Sequence, residues 1–593
     1  MVHSFHIPVM GLSYTIDTPI KVAHYGINSV VSIIEDTLLE VVRKTYLEKE
    51  GKTFQAIPDH EEDSKAKRVT EYLNMMYDIT SQKFQKFKEN CTLAEAKKYI
   101  QLLSEDSYIK KGYENLSKLK SSDFDLISYV RKHAEIGAVD VNIMTKVDKV
   151  NYKNGEALPR EFNDAHASLR GFAQSKLNSS VVLSAGLNPS LVSYMANFSD
   201  FFPNAEGQFK KKIILKVSDY RSALIQAKFL AKKGLWVTEF RIESGLNCGG
   251  HAFATDGLLM GPNLHEFYVN RESMYSELKT LYIDVLKDKG LETPKGELQL
   301  KISAQGGVGT ALEHKFLLEY YKLDSVGWGS PFLLVPEVSA LDSKTRDELS
   351  AASEKDLYLS HISPLGVPMN NMRTSSMGAK RLERIEMDKP GSPCVKKYLA
   401  FNTEFSDKPL CTASRKYQSK KIKELNSLDL LEEDYQEAYD QITEKECICT
   451  GLGTSFLIEN NQSTKVVGEG VTLCPGPNMA YFSKQVSMQE MISHIYGRAN
   501  VLTRQDRPHM FVKELMLNID YLRNQIKDYR KKPDSKNLKR LNLFIDNLNQ
   551  SITYYIELFS KYAQQLGDHA ALSIQQFKSE KETISQLSKE LNS

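Results

Sequence analysis

A chain of 593 residues is long enough for a large core plus additions, so more than one minimal domain is expected. Lysine and arginine number 77 against 75 aspartate and glutamate, a net charge of +2, which gives no electrostatic case for nucleic acid or an anionic membrane as partner. No apolar stretch approaches the roughly 18 to 20 residues of a membrane helix, the N-terminus lacks a charged n-region followed by an apolar h-region, and seven cysteines are too few for a disulfide scaffold; the reading is a cytoplasmic protein.

The first strand is read at Ile7 to Met10 and the second at Ser29 to Ile33. From about Thr45 to Lys132 the chain is charged and helix-forming, with Tyr72, Met75, Met76 and Ile79 at three- and four-residue spacing. That spacing predicts a helical insertion over the active-site face, either a lid or a surface embellishment. Strands three to six are read at Val139 to Met144, Ser180 to Ala185, Ile213 to Val217 and Leu235 to Ile242. The sixth runs into Glu243-Ser244-Gly245-Leu246-Asn247-Cys248-Gly249-Gly250-His251. There Gly249 and Gly250 let a flat ligand lie against the backbone, and His251, with an ordinary pKa of about 6.5, can exchange a proton at neutral pH. The alternative is a loop histidine with a satisfied hydrogen bond. Cys248, with no basic neighbour in sequence, reads as a small buried hydrophobe.

After a helix around Tyr268 to Asp288, strands seven and eight are read at Leu298 to Ala304 and Ser325 to Gly327. Each is followed by a glycine turn, Gly306-Gly307-Val308-Gly309-Thr310 and Gly327-Trp328-Gly329-Ser330. Without a Cβ, such turns bring backbone N–H groups close to phosphate oxygens, and a helix starting just beyond adds the positive end of its dipole. Eight alternating units with an anion site after the last two strands predict an α/β protein of the (β/α)8 barrel class. A doubly wound sheet would put its phosphate turn after the first strand, where Met10-Gly11-Leu12-Ser13 offers no Gly-x-Gly-x-x-Gly.

The barrel with its insertion is assigned to residues 1–380, an irregular Cys-containing extension to 381–505, and a helical hairpin to 506–593. Cys394, Cys411, Cys447, Cys449 and Cys474 could converge on zinc or an iron–sulfur cluster, but Cys-x-Cys lacks the paired Cys-x2-Cys knuckles of a zinc site, so no metal is assigned. Leu515, Ile519, Leu522 and Ile526, then Leu541, Ile545, Leu548, Ile552, Tyr555 and Phe559, make two apolar stripes separated by Pro533-Asp534. They bury against the protein's own barrel or against a second subunit. Polarity rises after Ser573, which predicts a projecting or fraying final helix.

Taken in order, these residues resemble the nitronate monooxygenases, or 2-nitropropane dioxygenase-like proteins, which are FMN-dependent barrels. The resemblance runs through Pro8-Val9-Met10, Thr18-Pro19, Val141-Asn142, Ser180-Val181-Val182 with Gly186 and Pro189, Lys216-Val217, Gly249-Gly250-His251, the two glycine turns, Gly366-Val367-Pro368 and Arg373. It implies FMN as cofactor, with Asn142 bonding the flavin and Gly307 with Gly327, Trp328, Gly329 and Ser330 at its phosphate. Met10, Gly11, Ser244, Gly249, Gly250, Gly306 and Gly309 complete the implied cofactor contacts. His251 is implied as acid or base beside the reacting carbon, and Lys216 either polarises the flavin or substrate or snorkels from a strand end. Ser244 stands where family members usually carry Gln, next to Glu243, whose carboxylate would repel a flavin anion. Trp328 replaces a smaller residue and either stacks on the cofactor or packs internally. The related enoyl reductases that act with fatty acid and polyketide synthases share the Gly-Gly-His element, and Lys216-Val217-Ser218 is nearer to theirs. The substrate is accordingly a small molecule or an acyl chain; a binding module that keeps the barrel without turnover is the third possibility.

Overall fold

The computed structural model describes residues 2–118, 125–145, 147–184, 186–567 and 569–592; Ala185 of the expected fourth strand and residues 119–124 of the expected insertion lie outside them. Eight parallel strands close into a barrel in sequence order: β1 (Phe5–Ile7), β2 (Asn28–Ser32), β3 (Val139–Ile143), β4 (Ser179–Leu183), β5 (Lys211–Val217), β6 (Val237–Glu243), β7 (Lys301–Gln305) and β8 (Ser325–Gly327). The (β/α)8 class expected from the alternation is the observed one. The first strand ends earlier than expected, because Pro8 has no N–H with which to continue the ladder.

Register decides which side chains fill the axis. Asn142 lies opposite Ser32 and Val182, Val182 opposite Ile214, Ile214 opposite Glu239, Lys216 opposite Arg241, Glu243 opposite Gln305, and Gln305 opposite Gly327. Barrels usually fill this space with branched apolar residues. Here Val30, Val182 and Ile214 make a small apolar patch, and charged groups take much of the rest. Arg241 Nη2 lies 2.7 Å from Glu239 Oε1, to which Ser303 Oγ also donates at 2.5 Å. Buried charge persists where it is paired in this way.

The insertion does not cover the mouth. Its long helix, Ser64–Asn90, buries Tyr72, Met75, Met76 and Ile79 against the helices Asp36–Lys49 and Asp164–Gln174 on the barrel's flank. The following helices, Leu93–Leu102 and Leu126–His133, bury Tyr99, Ile100 and Val130 with Val2 and Ala134 in a separate cluster. Val2 leads into β1 and Ala134 into β3, so this cluster lies at the N-terminal ends of the strands, opposite the expected lid position.

The C-terminal ends of the strands are covered instead by the C-terminal part of the chain. The stretch 381–505 is more regular than expected, with helices Arg415–Leu425, Glu432–Thr443, Ile448–Glu459 and Met488–Ile495. Beyond it the expected hairpin is a three-helix unit of Met510–Lys531, Ser535–Lys561 and Ala570–Asn592. Asp534 caps the second helix by accepting from the amides of Lys536 and Asn537. The last helix does not fray: Phe577, Ile584, Leu587 and Leu591 are buried. Ile545 and Ile552 are also buried within the chain, and Tyr555 Oη accepts a 3.0 Å bond from Gly261 N of the barrel helix Met260–Val269. The apolar stripes therefore pack within the chain. Ile552→Val should lower the unfolding free energy by about 1 kcal/mol, equally at all protein concentrations; a concentration-dependent loss in denaturant titrations would reveal an interface. Among the described residues no helix is long and apolar enough to cross a membrane.

Candidate active site

The floor of the mouth is polar and charge-balanced. Lys216 Nζ and Glu243 Oε1 are 3.1 Å apart, and Gln305 Nε2 donates to the same oxygen at 2.5 Å. Lys216 thus neutralises the carboxylate that would otherwise repel an anionic ligand. Asn142, on the same axial face, is buried with Oδ1 unpartnered. Gly327 serves close packing: a Cβ there would press on Gln305 and His6.

The two glycine turns follow β7 and β8, which are hydrogen-bonded neighbours. Gly306 and Gly307 have φ of 120° and 79°, values that favour glycine, and a Cβ on Gly307 would collide with the Asn247 side-chain amide. Among the described residues the amides of Gly307, Val308, Gly329 and Ser330 find no acceptor within the protein. The helix start is different. Thr310 and Glu313 form a capping box on the helix Ala311–Tyr320, with Glu313 Oε2 accepting from Gly309 N at 2.8 Å and Thr310 N at 3.2 Å. The dipole end expected to face a phosphate is already met by this carboxylate, and Gly309 belongs to the cap. Arg507 binds Glu313 through both oxygens, at 2.7 and 2.9 Å, and donates to Gly307 O at 2.7 Å. Burial alone would raise the Glu313 pKa, but Arg507 and the Gly309 amide hold it below the usual carboxylate value.

Gly329 lies against Pro8 and Met10, so the second turn borders the end of β1. Ser330 Oγ accepts from Gly476 N at 2.8 Å. Trp328 is fully buried and donates to His314 Nδ1 at 3.2 Å, so its indole packs within the fold. Gly11 has φ of 55°, and a Cβ there would strike the Tyr14 ring.

Ser244 to His251 is held on both sides. Ser244 Oγ donates to Glu514 Oε1 at 2.6 Å, inside a site where burial raises the Glu514 pKa to about 7. Ser244 is therefore sealed beneath the C-terminal helix Met510–Lys531. Gly250 N donates to Cys474 O at 2.9 Å, and Gly250 O accepts from Asn370 N at 2.9 Å. Gly249 passes so close to Cys474 O that a Cβ would not fit comfortably. His251 Nε2 contacts Ser363 Oγ at 2.7 Å, and burial lowers its pKa to about 4. The ring is therefore neutral at pH 7. Burial likewise pushes the Cys248 thiol up, in keeping with a packed hydrophobe.

The structure thus groups Lys216 with Glu243 and Gln305, Ser244 and Asn247 with the first glycine turn, and Met10 with the second. His251 is bonded to the closing segment instead of to these groups. Sequence reasoning missed Gln305, Asn247, Glu313 and Arg507. Gln305 was within reach, since charged and polar residues at every second position of β6 and β7 mark a polar axis. A cavity of about 360 Å³ lies elsewhere, between Asp63, Glu161, Phe162, Arg170 and Tyr194, and involves none of the expected site residues.

No family model and no curated protein matches the chain. Among solved structures, FabK from Thermotoga maritima aligns at 11% identity over 88% of this chain and 96% of its own, with a TM-score of 0.35. The enoyl reductase domain of MlnA from the macrolactin biosynthesis cluster of Bacillus amyloliquefaciens aligns at 13% identity over 75% of this chain and 98% of its own, with a TM-score of 0.31. Likenesses of this strength carry nothing about chemistry, and the site rests on its own geometry.

Proposed function

We propose that the chain is an FMN-dependent oxidoreductase of the nitronate monooxygenase type, acting on a small molecule in the cytoplasm with its cofactor at the C-terminal mouth of the barrel. The observation that carries this reading is the set of unpaired amides of Gly307, Val308, Gly329 and Ser330 on adjacent turns, since clustered free N–H groups suit a phosphate dianion. Asn142 Oδ1, buried and unpartnered, suits a ring N–H of a flavin. FMN, when bound, supplies the two-electron redox chemistry. The chain's own residues do the remainder. Lys216, paired with Glu243, gives a polar floor without net charge, and the Gln305 amide fixes that pair. With His251 donating from Nε2–H to Ser363 Oγ, Nδ1 is the atom left to take the proton from the carbon α to the nitro group.

A second reading, a barrel that binds without turnover, draws on the C-terminal segment bonded across the mouth at Gly250 and Ser330. One experiment separates the readings. The purified protein should carry a flavin absorption spectrum, and anaerobic mixing with nitronates, NADH and NADPH in turn should bleach it with one of them. Bleaching by a reduced nicotinamide instead of a nitronate would move the assignment to an acyl-chain reductase, and a colourless protein that takes up no FMN would end it. Gly329→Val, which places a side chain against Pro8 and in front of the free amides, should weaken FMN binding roughly 100-fold through lost bonds to a charged group. Unchanged affinity would remove the second turn from the site.

A further inference from the structure

Four of the chain's seven cysteines, Cys394, Cys411, Cys447 and Cys449, are brought together by the fold. The loop between the first two is clasped at both ends by backbone bonds. At one end Ser392 N donates to Ala413 O and Arg415 N to Ser392 O, both at 2.9 Å, where Gly391 passes too close to Arg415 to carry a side chain. At the other, Asn402 and Leu410 exchange bonds of 3.0 and 2.7 Å. Within this closed loop the Cys394 and Cys411 thiols are neighbours that act on one another. Cys411 is buried, whereas Cys394 is half-buried between exposed Pro393 and exposed Val395 and is reachable by a small oxidant. Cys447 and Cys449, at the start of the helix Ile448–Glu459, are buried and their thiols are pushed up by burial. Among the described residues no group of three such side chains is disposed to hold a metal ion. The chemistry-bearing unit is the Cys394–Cys411 pair.

We propose that Cys394 and Cys411 are a peroxide-reactive dithiol that closes reversibly to a disulfide. The Cys394 thiolate attacks one oxygen of hydrogen peroxide; an S–O bond forms, the O–O bond breaks, and the other oxygen leaves as water after protonation. The sulfur of Cys411 then displaces the hydroxyl of the Cys394 sulfenic acid as a second water, forming the S–S bond. The two thiols give up two electrons and two protons, and the peroxide is reduced to water. Two thiols of a small-molecule reductant such as dithiothreitol reverse the step. The roles differ because of the contact between them. The Cys411 hydrogen bond, aided by the Lys397 backbone and opposed by burial, lowers the Cys394 pKa to about 7, while that same bond and burial push Cys411 up. The loop also carries Lys396 to Glu35, at 3.2 Å, and Tyr398 to Asp36, at 2.7 Å, just beyond the C-terminal end of β2. Closing the disulfide would fix that loop on the rim of the barrel mouth.

The test uses the full-length protein, a few equivalents of hydrogen peroxide, alkylation of remaining thiols in denaturant and peptide mass analysis. The expected product is a Cys394–Cys411 cross-linked peptide that dithiothreitol abolishes, with Cys447 and Cys449 still alkylated. Preferential oxidation of any other cysteine, or survival of both thiols, would overturn the proposal. So would stoichiometric iron or zinc in the purified protein released by a thiol reagent, because it would make the four thiols ligands. Two variants separate chemistry from folding. Cys411→Ala should slow iodoacetamide capture of Cys394 at pH 7 about tenfold by removing the hydrogen bond. Cys411→Ser keeps a donor, so it should retain fast capture and accumulate a dimedone-reactive sulfenic acid without forming the cross-link. Equal capture rates in all three proteins would show that the contact does not activate Cys394.

Discussion

Arg507→Ala should cost about 3–5 kcal/mol of unfolding free energy, the penalty of leaving a buried carboxylate without its counter-charge. Arg507 and Glu313 are 6% and 2% exposed, so solvent does little to screen them. Glu313 is also the acceptor for Gly309, Thr310 and Met510 amides, and Arg507 also holds Asn478 Oδ1 and Gly307 O. One substitution therefore loosens the helix cap, the first glycine turn and the C-terminal segment together. The pH dependence has a definite sign. Glu313 has a folded pKa below its ordinary value, so the stabilisation from the pair is complete above the unfolded value of about 4.5 and is lost as pH falls through the folded one. The gap between wild type and variant in urea titrations should thus narrow below pH 4.5. A variant within about 1 kcal/mol of wild type at pH 7 would place the pair in solvent. Pairing Arg507→Met with Glu313→Gln should recover much of the loss, because removing both charges also removes the need to desolvate them.

The barrel was legible in the sequence because its signals are local. Short apolar runs alternating with helical spacing recur eight times, two of them followed by glycine turns, and each can be read within a window of about ten residues. Boundaries were less legible where tertiary bonds intervene: Leu298 was expected in the seventh strand, but its amide donates to Tyr275 Oη at 3.2 Å instead of to the sheet. The position of the insertion was not legible at all. Tyr72, Met75, Met76 and Ile79 announce a buried helical face, yet the same spacing serves a lid, a flank or a floor. Of the candidate site, the turns and the Gly-Gly-His segment were visible. Glu313 with Arg507 and Ser244 with Glu514 were not, since partners 194 and 270 residues apart leave no mark on either neighbourhood. The final helix is a different case. Phe577, Ile584, Leu587 and Leu591 stand at intervals of seven, three and four, a stripe that polar neighbours obscured.

His251→Ala should leave FMN in place and slow flavin reduction by the carbon substrate about 10²- to 10⁴-fold, the usual contribution of a positioned base. The two effects should separate because the amides assigned to the phosphate belong to Gly307, Val308, Gly329 and Ser330, whereas His251 is bonded to Ser363 beside the segment Met369–Met372. Burial lowers its pKa to about 4. An imidazole with so low a pKa is unprotonated at pH 7 and free to accept a proton, though as a weaker base than an ordinary histidine, so the rate in the wild type should be level from pH 6 to 8 and fall as pH drops toward 4. The alanine variant should lose that acid limb as well as the rate. Ser363→Ala probes the positioning of the ring: freeing Nε2 should lower the rate less than the loss of His251 does, while leaving FMN affinity unchanged. Rapid-mixing reduction across this pH range, using the substrate found by the anaerobic screen, measures all three proteins. Full activity in His251→Ala would take the imidazole out of the reaction and turn attention to Lys216, the other titratable group of the polar floor with Glu243.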